Sequence, residues 1–334
     1  MSNVTFTIDT ALATPLSIDV GDSVSFRADV SKWTTDADGV SFYVSQLSYL
    51  ESKWYEAKYT AINFDELIPV NTSIPEWADD WEYMSFDGVT LGKFIGSSAD
   101  DLPRIAVAGN KSKVPIGYAG NSFEYSLDEL RKSQQMNLPL DATYGKLANR
   151  GAQEHTQRVA YFGDADRNMT GLFNNPNLAL DNSTVDWSTA TGQEIVADMN
   201  SLGTKVWIDS ANTHLPDTWV LDSDRYAQIT EQRMDSGTDT TVYEFFLKNN
   251  IYTAVTGRTP KVVPRLQLKG AGVASADRMM AYELNDENLS MANPIPWRPL
   301  APQPQGLNIN IPCEYKISGV EFRYPFSGAY RDHI

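Results

Sequence analysis

SLDELRKSQQMNLPLDATYGKLANRGAQEHTQRVAYFGDADRNMTGLFNNPNL, Ser126 to Leu178, carries the clearest local signals in the chain. Ser126-Leu-Asp-Glu129 has the form of a capping box. The serine hydroxyl can take the third helical N–H while the glutamate reaches back to the serine N–H. A short helix is expected from there to about Gln135. Pro139 suits the first turn of a second helix, where its missing N–H costs nothing. From Leu140 the small and apolar residues recur as Leu140, Tyr144, Leu147, Ala148, Gly151, Ala152, Val159 and Phe162, with His155 on the same side. That is one face at a period of 3.6, expected to be buried. The helix runs roughly 22 residues, about 33 Å at 1.5 Å per residue, and ends at Gly163.

The exit from this helix, GDADRNMTGLFNNP (Gly163 to Pro176), begins Asp164-x-Asp166-x-Asn168, as a calcium loop of the EF-hand type begins. Such a loop needs glycine at its sixth position and a bidentate glutamate at its twelfth. Here those positions hold Met169 and Asn175. The turn residue and the strongest ligand are both missing, so the stretch reads as a structured turn built on Asp, Asn and Gly.

Upstream, residues 76–101 are lopsided in charge. Glu76, Asp79, Asp80, Glu82, Asp87, Asp100 and Asp101 face only Lys93, and the sign then reverses with Arg104, Lys111 and Lys113. The strand-like pieces WEYMSFDG and VPIGYAGNSFEYS flank this run. They predict a protruding two-stranded ribbon with a long polar tip. A lone ribbon is only marginally stable in water, so it gains from lying on another subunit. Taken alone, the stretch reads first as a solvated hairpin. Residues 1 to about 50 lack strong periodicity and read as an extended arm with some strand, suited to lie on a neighbour.

Downstream, Thr191-Gly-Gln-Glu194 and Thr241-Val-Tyr-Glu244 are two more capping boxes. The first starts a helix with Ile195, Met199, Leu202 and Val206 on one face. Between them TWVLDSDRYAQITEQ reads as a strand to Leu221 followed by a helix. Residues from about 180 to 292 are therefore a mixed α/β unit. The segment NPIPWRPLAPQP holds Pro294, Pro296, Pro299, Pro302 and Pro304, and is expected to be an extended crossing rather than an element. After it Leu307, Ile309, Ile311, Cys313, Tyr315 and Ile317 alternate strictly. Ser318-Gly319 is a turn signal and VEFRYPF continues the alternation, which predicts a C-terminal hairpin with one buried face.

Composition narrows the function classes. The chain has 334 residues, 42% of them hydrophobic, enough for two domains or one elaborate one. Its 27 basic residues stand against 43 acidic ones, a formal charge of −16, with no basic run of nucleic-acid type. Tight general binding to DNA or RNA, which depends on neutralising phosphates, is not expected. One cysteine, Cys313, excludes an intrachain disulfide framework. The N-terminal stretch lacks the basic-then-apolar layout of a signal peptide, and no apolar run approaches the roughly 18 residues of a membrane span.

No constellation of catalytic type stands out. Three histidines, His155, His214 and His333, are few, and none has the spacing a zinc protease needs. There is no Gly-x-Ser-x-Gly elbow. Cys313 lies on the apolar side of a strand, as an inert thiol does. Gly270-Ala-Gly272-Val-Ala-Ser275 lacks the third glycine of a dinucleotide fingerprint. Asp222 and Asp224 sit where a strand hands over to a helix, so an N-cap role explains them. No cofactor or metal ligand is assigned.

The order of these features resembles the major capsid protein of tailed bacteriophages, with its α+β Hong Kong 97-like fold. The quoted stretch from Ser126 is similar to the spine-helix region of one branch, where the helix ends in a Gly-Asp turn followed by Gly-Leu-Phe/Leu-Asn and Asn-Pro. FDELIPVNTSIPEWADDWEY resembles the lead into the extended loop, and GAGVASADRMMAYELN and SGVEFRYPFSGAY match the same branch. The similarity covers roughly residues 45–334.

The resemblance implies an N-terminal arm over 1–50, a lead-in over 51–79 and an extended loop over 80–120. It further implies a peripheral domain with the spine helix over 121–179, an axial domain over 180–300, and C-terminal strands over 301–334 returning to the peripheral domain. It implies pentamers and hexamers closing into an icosahedral shell around double-stranded DNA, held without specific binding. Scaffolding, portal and decoration proteins are the implied partners, with assembly in the host cytoplasm, no membrane and no enzymatic activity. An acidic subunit fits a shell that holds DNA without gripping it. It also means that subunits repel, so local opposite charges are needed at contacts. Glu82, Asp87, Lys93, Arg104, Lys111 and Lys113 are the residues expected at inter-subunit contacts. An encapsulin-like compartment shell shares the fold, and an α/β enzyme with an acidic or metal site is the reading from another class.

Overall fold

The computed structural model describes residues 60–88, 108–136, 140–235 and 237–334. The expected arm over 1–50, the ribbon tip between 89 and 107, and Pro139 lie outside the described residues. From Ala61 onward the chain forms one unit. A 3-10 turn at Phe64–Glu66 precedes β1 (Val70–Asn71), β2 (Asp80–Asp87) and the long β3 (Ala108–Ser126). Then come α1 (Leu127–Met136), α2 (Leu140–Phe162) and β4 (Ala179–Asn182). The middle of the chain gives α3 (Gly192–Asp209), β5 (Thr218–Leu221), α4 (Ser223–Glu231), α5 (Val242–Lys248), α6 (Ile251–Thr256), β6 (Lys261–Pro264) and β7 (Arg278–Tyr282). The last part gives β8 (Leu289–Ala292), β9 (Ile295–Pro299), β10 (Gln303–Gln305), β11 (Asn308–Ser318), β12 (Val320–Phe322) and β13 (Gly328–Asp332).

The helix starts follow the local chemistry. The Ser126 hydroxyl accepts from Glu129 N at 3.1 Å and the Glu129 carboxylate accepts from Ser126 N at 2.9 Å. Thr191 and Glu194 make the same reciprocal pair at the start of α3, and Thr241 caps α5. Asp222 caps α4 through Asp224 N, as expected of that carboxylate. Each cap satisfies N–H groups that the helix itself cannot reach.

The long helix spans 23 residues, and its buried face matches the expected one only in part, at Ala152 and Val159. Ala152, Thr156, Val159 and Ala160 are buried, whereas Leu147, Gly151, His155 and Phe162 are exposed. The Thr156 hydroxyl donates to Ala152 O at 2.9 Å, so a polar residue is accommodated on the inner side. Alanines and glycines lie on several sides of this helix. Apolar periodicity therefore left its rotation open, and packing against β3 and β11 chose it.

The exit is a structural turn. Gly163 has φ +70°, and a Cβ there would lie 2.1 Å from Met169 O. Asp164 and Met169 exchange backbone hydrogen bonds at 3.0 and 2.8 Å, and the Asp164 carboxylate accepts from Asp166 N at 3.1 Å. Met169, the residue that spoils the calcium pattern, is buried and anchors the turn in the core.

Among the described residues the strands form three sheets, with orders β1-β8-β12, β10-β11-β3-β2 (β9 also pairing β11) and β4-β13-β7-β5-β6. Three expectations change. The proline segment is extended but is not a bare crossing, since β9 and β10 both pair antiparallel with β11. Proline is tolerated there because these strands add to one side of β11 only. Nor do β11 and β12 form a hairpin. β11 pairs with β3 from Asn308↔Ser126 to Ser318↔Ile116, while β12 pairs with β8. At Ser318-Gly319 the chain passes from one sheet to another, held by Val320 N→Thr170 O at 2.7 Å. Finally, of the segment 301–334 only β11 lies beside β3. β13 is inserted in the middle sheet between β4 and β7.

The middle sheet is deeply buried: every residue of β5, β7 and β13 is inaccessible or nearly so. Ile195, Met199, Leu202 and Val206 of α3 pack in its core with Trp219 and Phe246. Two arginines complete it. Arg278 makes a bidentate pair with Asp332 at 2.6 and 2.8 Å, and Arg331 bonds Asp198 at 2.6 Å and Asp181 at 2.5 Å.

Candidate inter-subunit surface

The ribbon expected from sequence is present: β2 pairs antiparallel with the first half of β3, from Asp80↔Pro115 to Asp87↔Ala108. Because side chains alternate, one face carries Asp80, Glu82, Met84 and Phe86 opposite Pro115, Lys113, Lys111 and Gly109. Lys113 Nζ is 2.7 Å from Asp80, and Lys111 pairs with Glu82. The bond to Asp80 raises the Lys113 pKa. The structure thus brings Glu82, Lys111 and Lys113 together on one exposed face, already matched within their own ribbon. Asp87 ends β2, and Lys93 and Arg104 lie outside the described residues. Charge counting missed Met84 and Phe86, both exposed on the same face. Their signal was the alternation Asp-x-Glu-x-Met-x-Phe.

The other face is docked on the protein. Tyr83 OH donates to Glu321 Oε1 at 2.9 Å, and the Arg323 guanidinium lies over the Trp81 and Tyr83 rings at 5.4 and 6.0 Å. Burial holds the Glu321 carboxyl above the usual range, a tendency that Tyr83 and Arg323 oppose.

The lead-in to the ribbon is clamped in the same way. Arg298 on β9 takes both oxygens of Glu76 at 3.1 and 2.9 Å and Glu314 on β11 at 2.7 Å. Tyr118 OH also donates to Glu314, at 2.6 Å. Lys316 Nζ reaches Asp79 at 3.1 Å and Ala78 O at 3.2 Å. Arg298, Glu314 and Lys316 were not singled out from sequence. The available signal was that Glu314 and Lys316 alternate with the apolar Cys313, Tyr315 and Ile317.

The residues considered for chemistry have structural roles here. His155 Nδ1 is 2.7 Å from Tyr315 OH, and partial desolvation of the ring, with Arg158 nearby, lowers its pKa. His214 Nδ1 is 2.8 Å from Glu283. Cys313 is buried, which pushes its thiol up. The Gly270–Gly272 loop is filled by the chain's own carboxylate. Asp332 accepts from Val273 N at 2.8 Å, and a Cβ on Gly272 would lie 2.7 Å from its Cγ. Among the described residues no group of three or more His, Cys, Asp or Glu is placed to hold a metal ion, and no helix is long and apolar enough to cross a membrane.

Comparison with solved structures finds capsid chains. The capsid of Myoviridae phage XM1 aligns with TM-score 0.73 at 16% identity, covering 87% of this chain and 98% of that one. Mycobacterium phage Ogopogo aligns with TM-score 0.55 at 13% identity, covering 87% and 98%. The capsid of a native GTA particle aligns with TM-score 0.57 at 8% identity, covering 85% and 94%. At these identities the likeness shows the fold. No curated protein matches the sequence. The family model described as major capsid protein matches residues 92–334. The chain therefore belongs to the major capsid protein family and is a structural capsid protein, not an enzyme.

Proposed function

We propose that this chain is the shell subunit of a tailed bacteriophage, with the Hong Kong 97-like arrangement of arm, extended loop, peripheral domain and axial domain. Copies assemble as pentamers and hexamers into an icosahedral shell around double-stranded DNA, with scaffolding, portal and decoration proteins as partners. Assembly takes place in the host cytoplasm. The observation that carries the reading is the family match over 92–334 in a chain that aligns over nearly the full length of phage capsid chains. The exposed ribbon and the 23-residue helix are consistent with the extended loop and the spine helix.

In this reading Glu82, Asp87, Lys93, Arg104, Lys111 and Lys113 lie where the extended loop crosses a neighbour. Exposed ion pairs contribute little to folding, so Glu82, Lys111 and Lys113 can exchange partners between chains at low cost. The test is electron microscopy of the purified protein with light scattering on the same sample. Rings of five or six, or closed shells, are expected. A strictly monomeric chain at high concentration, also in the presence of the phage's scaffold, overturns the reading. Replacing Arg104, Lys111 and Lys113 together by Glu is expected to impair assembly, and normal shells from that variant would sink the assigned contacts.

A further inference from the structure

The ribbon joins the rest of the chain in two steps. Its base is clamped: Glu76 is held by Arg298, Asp79 and Ala78 O by Lys316, and Asp79 O by Ile116 N at 2.9 Å. Beyond the base, its inclination rests on one small cluster. Trp81 and Tyr83 of β2 lie against Glu321 and Arg323 at the end of β12. Past Tyr83 and Ser112, the residues Met84, Ser85, Phe86, Gly109, Asn110 and Lys111 are all exposed.

The two β12 side chains are held differently. The Arg323 guanidinium is fixed by the main-chain oxygens of Asp286 and Glu287 and by Ser290 Oγ. Glu321 is half-buried, and among the described residues it accepts one hydrogen bond, from Tyr83 OH at 2.9 Å. A carboxylate taken from water needs several donors, so one is a poor exchange. Trp81 Nε1 is buried in the same contact with no acceptor in the chain. Docking therefore removes two polar groups from water and satisfies only one of them. A neutral carboxyl changes this balance, because it is far less costly to bury and still accepts from Tyr83.

We propose that Glu321 is a proton-operated latch for the ribbon: β2 lies more firmly against β12 when Glu321 is protonated, and swings out more readily about its clamped base when Glu321 is ionised. Burial holds this carboxyl above the usual range, against the pull of Tyr83 and Arg323. By linkage, a proton bound more tightly in the docked form favours docking. The contribution is full at low pH and is lost as pH rises through the docked value. No other group facing the latch changes charge in that range. The Tyr83 phenol is held above its ordinary value by burial, and the Arg323 guanidinium stays charged. Ser112 of β3 and Ser290 of β8 are uncharged, and Asp286 and Glu287 offer main-chain oxygens while their side chains are exposed. Glu82, Lys111 and Lys113 stand on the opposite face of the ribbon. The latch belongs to the single chain. In the proposed shell it also sets the angle at which the ribbon meets a neighbour, and that consequence alone rests on the shell reading.

The test measures the ribbon angle as a distance. Spin labels are placed on Ser85→Cys in the ribbon and Gln153→Cys on α2, both exposed, with the buried Cys313 as background. The labelled full-length chain is diluted into unlabelled chain, so that only distances within one chain count, whether or not it assembles. From about pH 5 to about pH 8 the undocked population of the wild type is expected to grow about two-fold or more, since one unit of pKa difference allows up to about ten-fold. Glu321→Gln, which mimics the protonated form, should keep the docked distance at both pH values. A wild-type distribution that is the same at both, or a pH change that persists in Glu321→Gln, overturns the latch and leaves the shell reading untouched.

Discussion

The outer ribbon is one antiparallel pair and the middle sheet mixes antiparallel with parallel pairs, and the two are held by different forces. In the ribbon Met84, Phe86, Lys111 and Lys113 all face solvent on one side, and only the root residues touch the rest of the chain. In the middle sheet β5, β7 and β13 are covered on both faces, and even the charged Arg278 and Asp332 are buried. The sheet finds its stabilisation within one chain, because apolar area and paired charges are both removed from water there. The ribbon is covered by its own chain on one face only, through Trp81 and Tyr83, and two strands by themselves are marginal. In the proposed assembly the ribbon's exposed face is the one that a neighbour covers.

Four variants can break or sharpen this contrast. The largest effect is expected from Asp332→Ala. It leaves Arg278 charged and unpaired in the core and also strips Val273 N of its acceptor, for a loss of about 3–5 kcal/mol. Thermal or urea denaturation would show it, and a loss below about 1 kcal/mol would mean that this pair does not hold the sheet.

Next, Gly163→Ala places a methyl group against Met169 O at a positive φ. Backbone strain of this type costs on the order of 1–3 kcal/mol, and more where the chain cannot move aside. The same denaturation measurement checks it. An unchanged midpoint would show that the helix exit relaxes freely.

A smaller, pH-dependent effect is expected at the ribbon root. Burial raises the Glu321 pKa in the folded protein. The stability this carboxyl contributes is therefore full below its unfolded pKa of about 4.3 and is lost as pH rises through the folded value. Glu321→Gln keeps an acceptor for Tyr83 without the charge. It should melt higher than the wild type at neutral pH, and the gap should close as the pH falls below about 4. A gap that widens on acidification would reverse the assigned sign.

The smallest folding effect is expected from the double exchange Asp80→Lys with Lys113→Glu. It keeps an ion pair within the ribbon, and the melting temperature should stay close to that of the parent chain. Any loss of assembly in this variant would then report contacts to a neighbour and not a damaged ribbon, which separates the two roles of these charges.

Features governed by residues close in sequence were legible without the structure. The caps at Ser126, Thr191 and Thr241, the Asp222 N-cap, the turn after Gly163 and the Ile195–Val206 face all depend on groups within a few residues of one another. The pairing of β2 with β3 was legible too, because a charged tip between two strand-like runs suggests a ribbon. The exclusion of a metal loop at Asp164 needed only the identities of Met169 and Asn175. What tertiary structure alone decided was which partner each element takes. Alternation from Leu307 to Ile317 marks a strand and its buried side, but it does not say whether that strand joins β12 or β3. Five prolines specify extension, but not that β9 and β10 lie beside β11. The rotation of α2, the placing of β13 beside β4 in the middle sheet, and the clamps of Arg298 on Glu76 and Lys316 on Asp79 likewise join residues more than a hundred positions apart or choose among equivalent faces. Such contacts are set by the sum of burial over the whole fold, and no local pattern contains that sum.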